Sequence, residues 1–336
     1  MTEDFGEFDI IRNFFTPDTR REDVDIGVGD DCAVLTAPAG KKIATTVDTL
    51  IAGVHFPFST LPEDIAYKSI AVCVSDLAAM GATPAWLTLA LSIPDADTQW
   101  LQSFSRSFSD TAKYFDMQLI GGDTTRGPLS ITVQATGFVE PGHIMRRDSA
   151  RPGDSIFVTG SLGDAALGLL LLNEQKIIDK PVFEYCLGRL NRPTPRVEFA
   201  CAVAEYCACA IDISDGLVAD LGHILEASQK FSQCGAEIIV DAVPVSSELR
   251  SYYDRVSNTS DNSPGAINWE LVLCSGDDYE LCLVVSEQQV SAVVSLADSM
   301  RLPLSRVGVI NAGPGLQFVD ASGESLTITK SGYDHF

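Results

Sequence analysis

PEDIAYKSIAVCVSDLAAM (residues 62–80) lies between the apolar runs IATTV (43–47) and WLTLALSI (86–93), and this order decides the fold class of the first half. The long run exceeds an ordinary strand, whereas the flanking runs are short and rich in strand-forming residues, so we predict strand, helix, strand. The alternation continues through DTQWLQSFSRSFSDTAKYF (97–115), MQLI (117–120) and ITVQATGFV (131–139). Such alternation is typical of an α/β domain.

A polar segment with two Pro and two Gly, PGHIMRRDSARPGD (141–154), follows this alternation. A chain of 336 residues is too long for one ordinary core, and segments of this composition are typical of domain boundaries. We therefore predict two domains, one over residues 1–150 and the other over residues 151–336.

The second half mixes helices and strands without regular alternation, which predicts an α+β domain. Its helix-like runs are DAALGLLLLNE (164–174), RVEFACAVAEYCACA (196–210) and VADLGHILEAS (218–228), and its strand-like runs are SIFVTG (155–160), AEIIVDAVP (236–244), ELCLVVS (280–286), RVGVI (306–310), LQFV (316–319) and LTIT (326–329). Residues 246–268 are rich in Ser, Asn and Asp, and we expect a mobile surface loop there.

Acidic residues outnumber basic residues by 46 to 23, which gives a formal charge of −23 at pH 7. This charge disfavours binding to nucleic acid and to anionic membrane surfaces. No uncharged apolar run approaches the ~18 residues of a membrane span, and the N-terminus lacks the features of a signal peptide. Nine cysteines without a C-x-x-C pair indicate buried thiols in a reducing compartment, so we predict a cytoplasmic protein. Cys207 and Cys209 lie in an apolar, helix-like run and are expected to be packing residues.

Several aspartates occur where apolar or Gly-rich segments end, namely Asp30, Asp31, Asp48, Asp76 and Asp123. An ionised carboxylate in such a setting is costly unless it is paired or binds a metal ion. Oxygen ligands from separate elements suit a hard cation such as Mg²⁺, and no H-E-x-x-H zinc pattern occurs. The sequence therefore predicts a magnesium site.

Asp76 lies near the end of its predicted helix, where the helix dipole already places partial negative charge. A positive partner is therefore needed beside its carboxylate. A metal ion is one candidate, and an ion pair with Lys68 or with an arginine is the other.

The Gly-rich segments GVGDD (27–31) and GGDTTRG (121–127) would let backbone N–H groups approach a phosphate. The chain has neither a Walker A sequence nor a Rossmann G-x-G-x-x-G sequence. A bound nucleotide would then be held through metal ions and arginines, for which the candidates in the first half are Arg126, Arg146 and Arg147.

Two segments of the second half also carry acids beside Gly. IDISDGLVADLGH (211–223) places Ser214 and Asp215 at a turn that enters a helix, which favours either an anion and metal site or a plain helix cap. Asp277 and Asp278 follow a Gly in LCSGDDYELC, and both could meet a substrate.

Eight motifs, taken in order, resemble the thiamine-monophosphate kinase family from end to end: GVGDDCAV, TTVDTLIAGVHF, SDLAAMGA, GGDTTRG, RRDSARPGD, IDISDGLVADLGH, SGDDYEL and GYDHF. The resemblance implies ATP-dependent phosphorylation of thiamine monophosphate to thiamine diphosphate with several Mg²⁺ ions, and it leaves a K⁺ requirement open. It also implies a homodimer formed through the sheet of an N-terminal α/β domain that binds ATP and metal. The C-terminal α+β domain would close the active-site cleft.

The resemblance further implies roles for individual positions. The metal ligands would be Asp30, Thr46, the carbonyl of Val47, Asp48, Asp76 and Asp123, with Asp212 and Asp215 from the second domain. The ATP contacts would be Gly122, Asp123, Arg147 and Ser214. The contacts to thiamine monophosphate would be His55, Asp277 and Tyr333.

Three positions depart from the family pattern. Val47 stands where Ser or Thr is frequent, and Ser105 stands where some relatives have an aromatic residue near the adenine. Asp277 stands where Glu is usual and follows Ser275 and Gly276, where the family has two glycines, so the reach of its carboxylate is shorter.

The implied nucleophile is a phosphate group that is already anionic, so no general base is needed and no catalytic residue is assigned. Catalysis would rest on in-line positioning and on charge neutralisation by Mg²⁺. His55 is then a substrate contact or a hydrogen-bonded structural residue. Two alternatives are another ATP-dependent synthetase of the same superfamily, which includes aminoimidazole ribonucleotide synthetase, and a non-catalytic acidic binding protein. The position of Cys32 inside the metal motif, the absence of a C-terminal cysteine and the complete set of acids argue against them.

Overall fold

The computed structural model describes residues 6–16, 20–174, 179–257 and 266–333. The chain divides into two compact units, the first formed by Met1–Leu77 and Ala82–Pro141 and the second by Ala78–Gly81 and Gly142–Phe336. The first unit therefore ends at Pro141, before the boundary expected near residue 150. The polar segment after Pro141 belongs to the second unit, where the Arg146 amide donates a hydrogen bond to the Ala208 carbonyl at 2.8 Å.

The first unit is an α/β domain, as predicted. Its helices are α1 (Glu7–Phe14), α2 (Pro62–Ala79) and α3 (Thr98–Tyr114), and its strands are β1 (Val24–Ile26), β2 (Val34–Leu35), β3 (Lys42–Ile51), β4 (Thr83–Ile93), β5 (Gln118–Arg126) and β6 (Ser130–Val139). Four strands form one sheet in the order β3, β6, β4, β5, while β1 and β2 form a separate antiparallel pair. Within the sheet, β4 and β5 are parallel and the other neighbours are antiparallel.

The helices of the first unit follow from their sequences. Asp97 caps α3, because its carboxylate accepts hydrogen bonds from the amides of Gln99 at 2.8 Å and Trp100 at 3.2 Å. Phe104 and Phe108 lie one turn apart on the buried face of this amphipathic helix. By contrast, α2 is apolar around most of its circumference and is largely buried, although it carries Asp76 in its last turn.

The second unit is an α+β domain, also as predicted. Its helices are α4 (Asp164–Glu174), α5 (Lys180–Asn191), α6 (Val197–Val203), α7 (Leu217–Ser228), α8 (Ser247–Ser257), α9 (Trp269–Cys274) and α10 (Val290–Ser299), and a 3₁₀ turn spans Val240–Ala242. Its strands are β7 (Ser155–Thr159), β8 (Cys209–Asp212), β9 (Gly235–Ile239), β10 (Leu281–Val285), β11 (Leu304–Asn311), β12 (Leu316–Val319) and β13 (Ser325–Leu326). They form one sheet in the order β13, β12, β9, β11, β7, β10, β8, in which only β9 and β12 pair in parallel.

Two local predictions for the second unit were wrong. The loop expected over residues 246–268 contains helix α8, whose polar sequence still buries Leu249 at its start, and residues 258–265 lie outside the described part of the chain. The helix expected over 196–210 ends at Val203, and Cys209 begins a buried strand that pairs with β10. Tertiary pairing outweighs helix propensity in this short apolar run.

None of the helices in the described part of the chain is long and apolar enough to cross a membrane.

Candidate active site

The first cluster of predicted site residues lies where β3 faces α2. Along β3, Thr46 and Asp48 are half-buried, while the residues between and beside them are exposed, as the alternation of a strand requires. The Thr46 hydroxyl donates a hydrogen bond to Asp76 Oδ2 in the last turn of α2. The structure thus brings three of the predicted metal ligands together.

The two carboxylates of this cluster repel each other. Burial raises the pKa of Asp48 to about 6, and the nearby charge of Asp76 adds to the shift, whereas a hydrogen bond with the Cys73 thiol lowers it. Burial and the same two carboxylates also raise the pKa of the Cys73 thiol well above its usual value. Asp48 Oδ2 is buried and has no hydrogen-bond partner. A cation beside Asp48 and Asp76 would offset the repulsion between the two carboxylates and give Asp48 Oδ2 a partner.

The chemistry of these donors fits Mg²⁺. Mg²⁺ prefers oxygen ligands and commonly takes one or two carboxylates together with several waters. Asp48, Asp76 and Thr46 offer two carboxylates and a hydroxyl. Across the described ranges, no group of three or more His, Cys, Asp or Glu residues is gathered in a way that could hold a metal ion by itself. Two carboxylates and a hydroxyl are donors suited to an ion that keeps several of its waters.

Val47 lies between Thr46 and Asp48 on β3, and its side chain points to the other face of the sheet. This side chain is 61% exposed, as expected for a residue at the alternate position of the strand. Of Val47, only the backbone carbonyl is suited to bind a cation.

The remaining predicted residues of the first unit lie near β5. Gly122 and Asp123 line a shallow groove together with Val28 of the GVGDD loop. Asp123 is exposed, and Asp30 is also exposed, with its Oδ1 accepting a hydrogen bond from the Asp31 amide at 2.9 Å. A Cβ atom at position 122 would lie 2.0 Å from the Leu89 carbonyl oxygen. Close packing against β4 therefore requires Gly122, whether or not a nucleotide binds there.

His55 follows β3 on a short loop. Its Nδ1 accepts a hydrogen bond from the Ile51 amide at 3.0 Å, so the neutral imidazole carries its proton on Nε2. The ring is therefore oriented as a donor through Nε2. Ser105, by contrast, lies on the buried face of α3, where its hydroxyl donates to the Gln102 carbonyl at 3.4 Å.

In the second unit, predicted site residues lie at the turn between β8 and α7. Asp212 ends β8 and is 3% exposed, while Ser214 and Asp215 are half-buried. Gly216 is the N-cap of α7 and has a φ of +108°, a conformation that favours glycine. The alternative of a helix cap formed by Ser214 or Asp215 is therefore wrong.

Asp220 replaces the expected cap. Its Oδ2 accepts hydrogen bonds from the amides of Ser214 at 3.0 Å, Asp215 at 3.1 Å and Gly216 at 3.1 Å. Burial, followed by the charge of Asp215, raises the pKa of Asp220 to about 7, while the amides of Asp215 and Ser214 and the charge of Arg147 oppose that shift. The turn offers its N–H groups to Asp220, so they are not directed at a phosphate.

Backbone hydrogen bonds bring the other predicted residues of the second unit to this turn. The Asp277 amide donates to the Ser214 carbonyl at 2.8 Å, and the Tyr333 amide donates to the Asp215 carbonyl at 3.1 Å. A Cβ atom at Gly276 would lie 2.1 Å from the Ser214 carbonyl oxygen, so the approach of the two loops requires glycine. The structure therefore unites Ser214, Asp215, Asp277 and Tyr333.

The loop that carries Asp277 is strained. Asp277 and Tyr279 have φ values of +65° and +50°, which are unfavourable for residues with side chains and most of all for a bulky one. The Tyr279 amide donates to the Ile213 carbonyl at 2.8 Å, which helps to hold this conformation. Strain of this kind is concentrated at functional sites.

Asp278 differs from its neighbour Asp277 in its surroundings. Asp278 is 2% exposed, and its Oδ1 accepts a hydrogen bond from the Gly163 amide at 2.9 Å. Burial and the nearby Asp164 raise its pKa well above the usual value. Asp278 thus points into the unit, and the expectation that both acids meet a substrate was wrong for this one.

Two features of the second unit were not found from the sequence. One is Asp220, although it satisfies the criterion used elsewhere, since it is an acid inside an apolar helical run. The other is Glu280, which is fully buried and bonded to Arg189 at 2.9 Å, to Arg196 at 2.5 and 2.7 Å, and to Thr159 at 2.7 Å. Its partners are distant in the sequence, so no local pattern marked them.

The predicted arginines differ in their surroundings. Arg146 is paired with Asp148 through two contacts, at 2.8 and 2.6 Å, and Arg126 donates from Nε to the Pro94 carbonyl at 3.1 Å. Arg147 acts electrostatically on the Asp220 carboxyl beside the β8–α7 turn. Arg147 is therefore the arginine that belongs with the predicted residues of the second unit.

Each half of the chain matches a known protein family. Residues 29–139 match the family AIR synthase related protein, N-terminal domain, and residues 151–321 match the corresponding C-terminal domain. The chain is 45% identical to the thiamine-monophosphate kinase of Escherichia coli (strain K12) over 334 residues, which cover 98% of each chain.

Two solved structures are similar to the chain over most of its length. The thiamine-monophosphate kinase from Stenotrophomonas maltophilia K279a superposes with a TM-score of 0.80 at 42% identity and covers 91% of this chain and 93% of its own. AaThiL complexed with AMPPCP and TMP superposes with a TM-score of 0.75 at 30% identity and covers 92% of each chain.

Proposed function

Because the chain belongs to the thiamine-monophosphate kinase family, we propose that it transfers the γ-phosphoryl group of ATP to thiamine monophosphate, giving thiamine diphosphate and ADP. The observation that carries this proposal is the 45% identity to a thiamine-monophosphate kinase over 98% of both chains. The similarity to a protein complexed with AMPPCP and TMP supports the same pair of ligands. The reaction would be the last step of thiamine diphosphate biosynthesis, and nine free cysteines support a reducing, cytoplasmic setting.

We assign Mg²⁺ to the cluster of Thr46, Asp48 and Asp76. The buried, orphaned Oδ2 of Asp48 supports this assignment, because an ionised carboxylate in that position needs a positive partner. By resemblance, the further ligands are Asp30, the Val47 carbonyl, Asp123, Asp212 and Asp215. Bound Mg²⁺ would neutralise charge on the phosphate oxygens as the phosphoryl group is transferred.

The other site residues would hold the two substrates. In this proposal ATP is contacted by Gly122, Asp123, Arg147 and Ser214. Thiamine monophosphate is held by His55, Asp277 and Tyr333. His55 would donate from Nε2 to the phosphate, because its Nδ1 accepts from the Ile51 amide. The acceptor phosphate is already ionised, so positioning is sufficient and no residue acts as a general base.

We also propose that two copies of the chain form a homodimer through the open face of the first sheet. β3 is an edge strand, and its outward side chains Ile43, Val47 and Ile51 are 57%, 61% and 40% exposed. A row of exposed apolar residues on a sheet is typical of an interaction surface. A second copy of the same face would bury this row.

The proposal is tested by incubating the purified protein with ATP, Mg²⁺ and thiamine monophosphate and quantifying thiamine diphosphate and ADP separately. We expect equal amounts of the two products. Thiamine in place of thiamine monophosphate should give no product, because the acceptor is a phosphate group. ATP cleavage without thiamine diphosphate would contradict the proposal and favour another ATP-dependent synthetase of the superfamily.

A further inference from the structure

Asp220 is a buried aspartate in the first turn of α7, where it is 2% exposed. Its Oδ2 atom accepts hydrogen bonds from the three consecutive amides of Ser214, Asp215 and Gly216, at 3.0 to 3.1 Å. A single carboxylate oxygen therefore closes the turn that precedes the helix.

The turn depends on this oxygen. The amides of Ser214 and Asp215 precede the N-cap Gly216, so no carbonyl of α7 can accept from them, and Gly216 has no side chain to serve as an acceptor. Without an acceptor in this partly buried turn, the amides of Ser214 and Asp215 would be left unsatisfied or the turn would rearrange. Asp220 thus determines the shape of the backbone at residues 214–216.

Other site residues are attached to the same backbone. The Ser214 carbonyl accepts from the Asp277 amide, and the Asp215 carbonyl accepts from the Tyr333 amide. A shift of the turn would therefore move more than its own side chains. Asp220 is the buried side chain on which this network of backbone contacts is centred.

We propose that Asp220 is a positioning residue that holds the Ser214–Gly216 turn in the shape that binds Mg²⁺·ATP. The inference rests on the proposed function, because the roles of Ser214 and Asp215 belong to that function. Asp220 is not assigned as a ligand, since its Oδ2 already accepts three hydrogen bonds. Arg147, the other proposed ATP contact of this unit, acts electrostatically on the same carboxyl.

Three substitutions of Asp220 distinguish a role in positioning the Ser214–Gly216 turn from a role in the overall stability of the fold. Asp220→Leu removes the acceptor and keeps the branched shape of the side chain, Asp220→Ser removes it and admits water, and Asp220→Asn keeps an acceptor oxygen. Asp164→Asn is the matched control, because Asp164 is also buried in the first turn of a helix and accepts from Ser161 and Ser246 instead.

The first measurement is the dissociation constant of Mg²⁺·ADP, determined by calorimetry on the folded proteins. We expect an increase of about tenfold or more for Asp220→Leu and Asp220→Ser, as is usual when the supporting partner of a binding residue is removed. We expect less than about threefold for Asp220→Asn and Asp164→Asn. The KM for ATP should change in parallel.

The second measurement is hydrogen exchange at the amides of residues 214–216 in the ligand-free protein. Protection should be lost in Asp220→Ser and kept in Asp220→Asn. Wild-type Mg²⁺·ADP affinity in Asp220→Ser, or an Asp220→Asn variant as weak as Asp220→Ser, would overturn the positioning role. If Asp220→Leu does not fold, the other two variants decide. Failure of the wild type to make thiamine diphosphate would overturn the proposed function, and the exchange result would be unaffected.

Discussion

The Thr46 hydroxyl donates a hydrogen bond to Asp76 Oδ2, which joins the edge strand β3 to the last turn of helix α2. This contact places Asp48, one pleat further along β3, close enough to Asp76 for their charges to interact. The last turn of α2 contains no basic residue. The arrangement concentrates negative charge where the helix dipole is also negative. A cation bound between the two carboxylates would therefore stabilise it.

Replacing Asp48 or Asp76 by Asn should lower the kinase activity without destabilising the fold. In metal-free protein, Asp48→Asn removes a buried charge and its repulsion by Asp76, so the free energy of unfolding should rise by about 1 kcal/mol. Turnover with Mg²⁺·ATP should fall by about 100-fold or more in either variant. Denaturant unfolding and the kinase assay measure the two effects. Near-normal turnover in both variants would refute the ligand assignment.

Glu280 should be a major source of stability in the second unit. Glu280→Gln removes the fully buried carboxylate charge that pairs with the guanidinium groups of Arg189 and Arg196, and we expect a loss of about 3 to 5 kcal/mol in the free energy of unfolding. Glu287→Gln is the matched control, because Glu287 is 65% exposed and its pair with Arg306 at 3.4 Å should contribute less than about 1 kcal/mol. Equal losses in the two variants would contradict this account.

Asp278 should make the unfolding free energy depend on pH. Burial and the charge of Asp164 raise its pKa, and Glu280 adds to the shift, while the Gly163 amide and Arg189 oppose it. The folded state therefore binds more protons than the unfolded state above the ordinary carboxyl pKa, so stability falls as pH rises through that range. One such group changes the free energy by at most about 1.4 kcal/mol per pH unit.

The substitution Asp278→Asn should flatten this pH profile, measured by urea unfolding at pH values from 4 to 7. The exposed Asp298 provides the control, because Asp298→Asn should leave the slope of the wild type. An Asp278→Asn profile as steep as that of the wild type would assign the slope to other groups.

If two copies of the chain associate through the exposed apolar row on β3, a charge placed in that row should prevent the association. Val47→Lys places a charge in the centre of the exposed apolar row on β3, which should convert a dimer into a monomer in sedimentation or light-scattering measurements. Val294→Lys, at a 37% exposed position of α10 in the second unit, should leave the mass unchanged. A wild type that is monomeric at all concentrations would refute the dimer, and a dimeric Val47→Lys variant would place the interface elsewhere.

The sequence alone predicted the elements whose pattern is local. The helix from Pro62 and the strands on either side of it were recognised because each carries its own periodicity, and the fold class of both units followed. Helix α8 was missed because its sequence is polar and turn-like, and its burial of Leu249 depends on tertiary packing.

The candidate site was predictable to a similar extent. Acids inside apolar segments identified Asp48 and Asp76, and the structure brings them together with Thr46. The attachment of Asp277 and Tyr333 to the turn at Ser214 and Asp215 could not be derived, because it depends on backbone contacts between segments that are distant in the sequence. Resemblance, not spacing, assigned these positions to one site.

Direct phosphoryl transfer is tested by following the labelled phosphoryl group of [γ-³²P]ATP in a single turnover with thiamine monophosphate and Mg²⁺. We expect the label to appear in the terminal phosphate of thiamine diphosphate, in an amount equal to the ADP formed. Label recovered only as inorganic phosphate, with thiamine monophosphate unchanged, would contradict it.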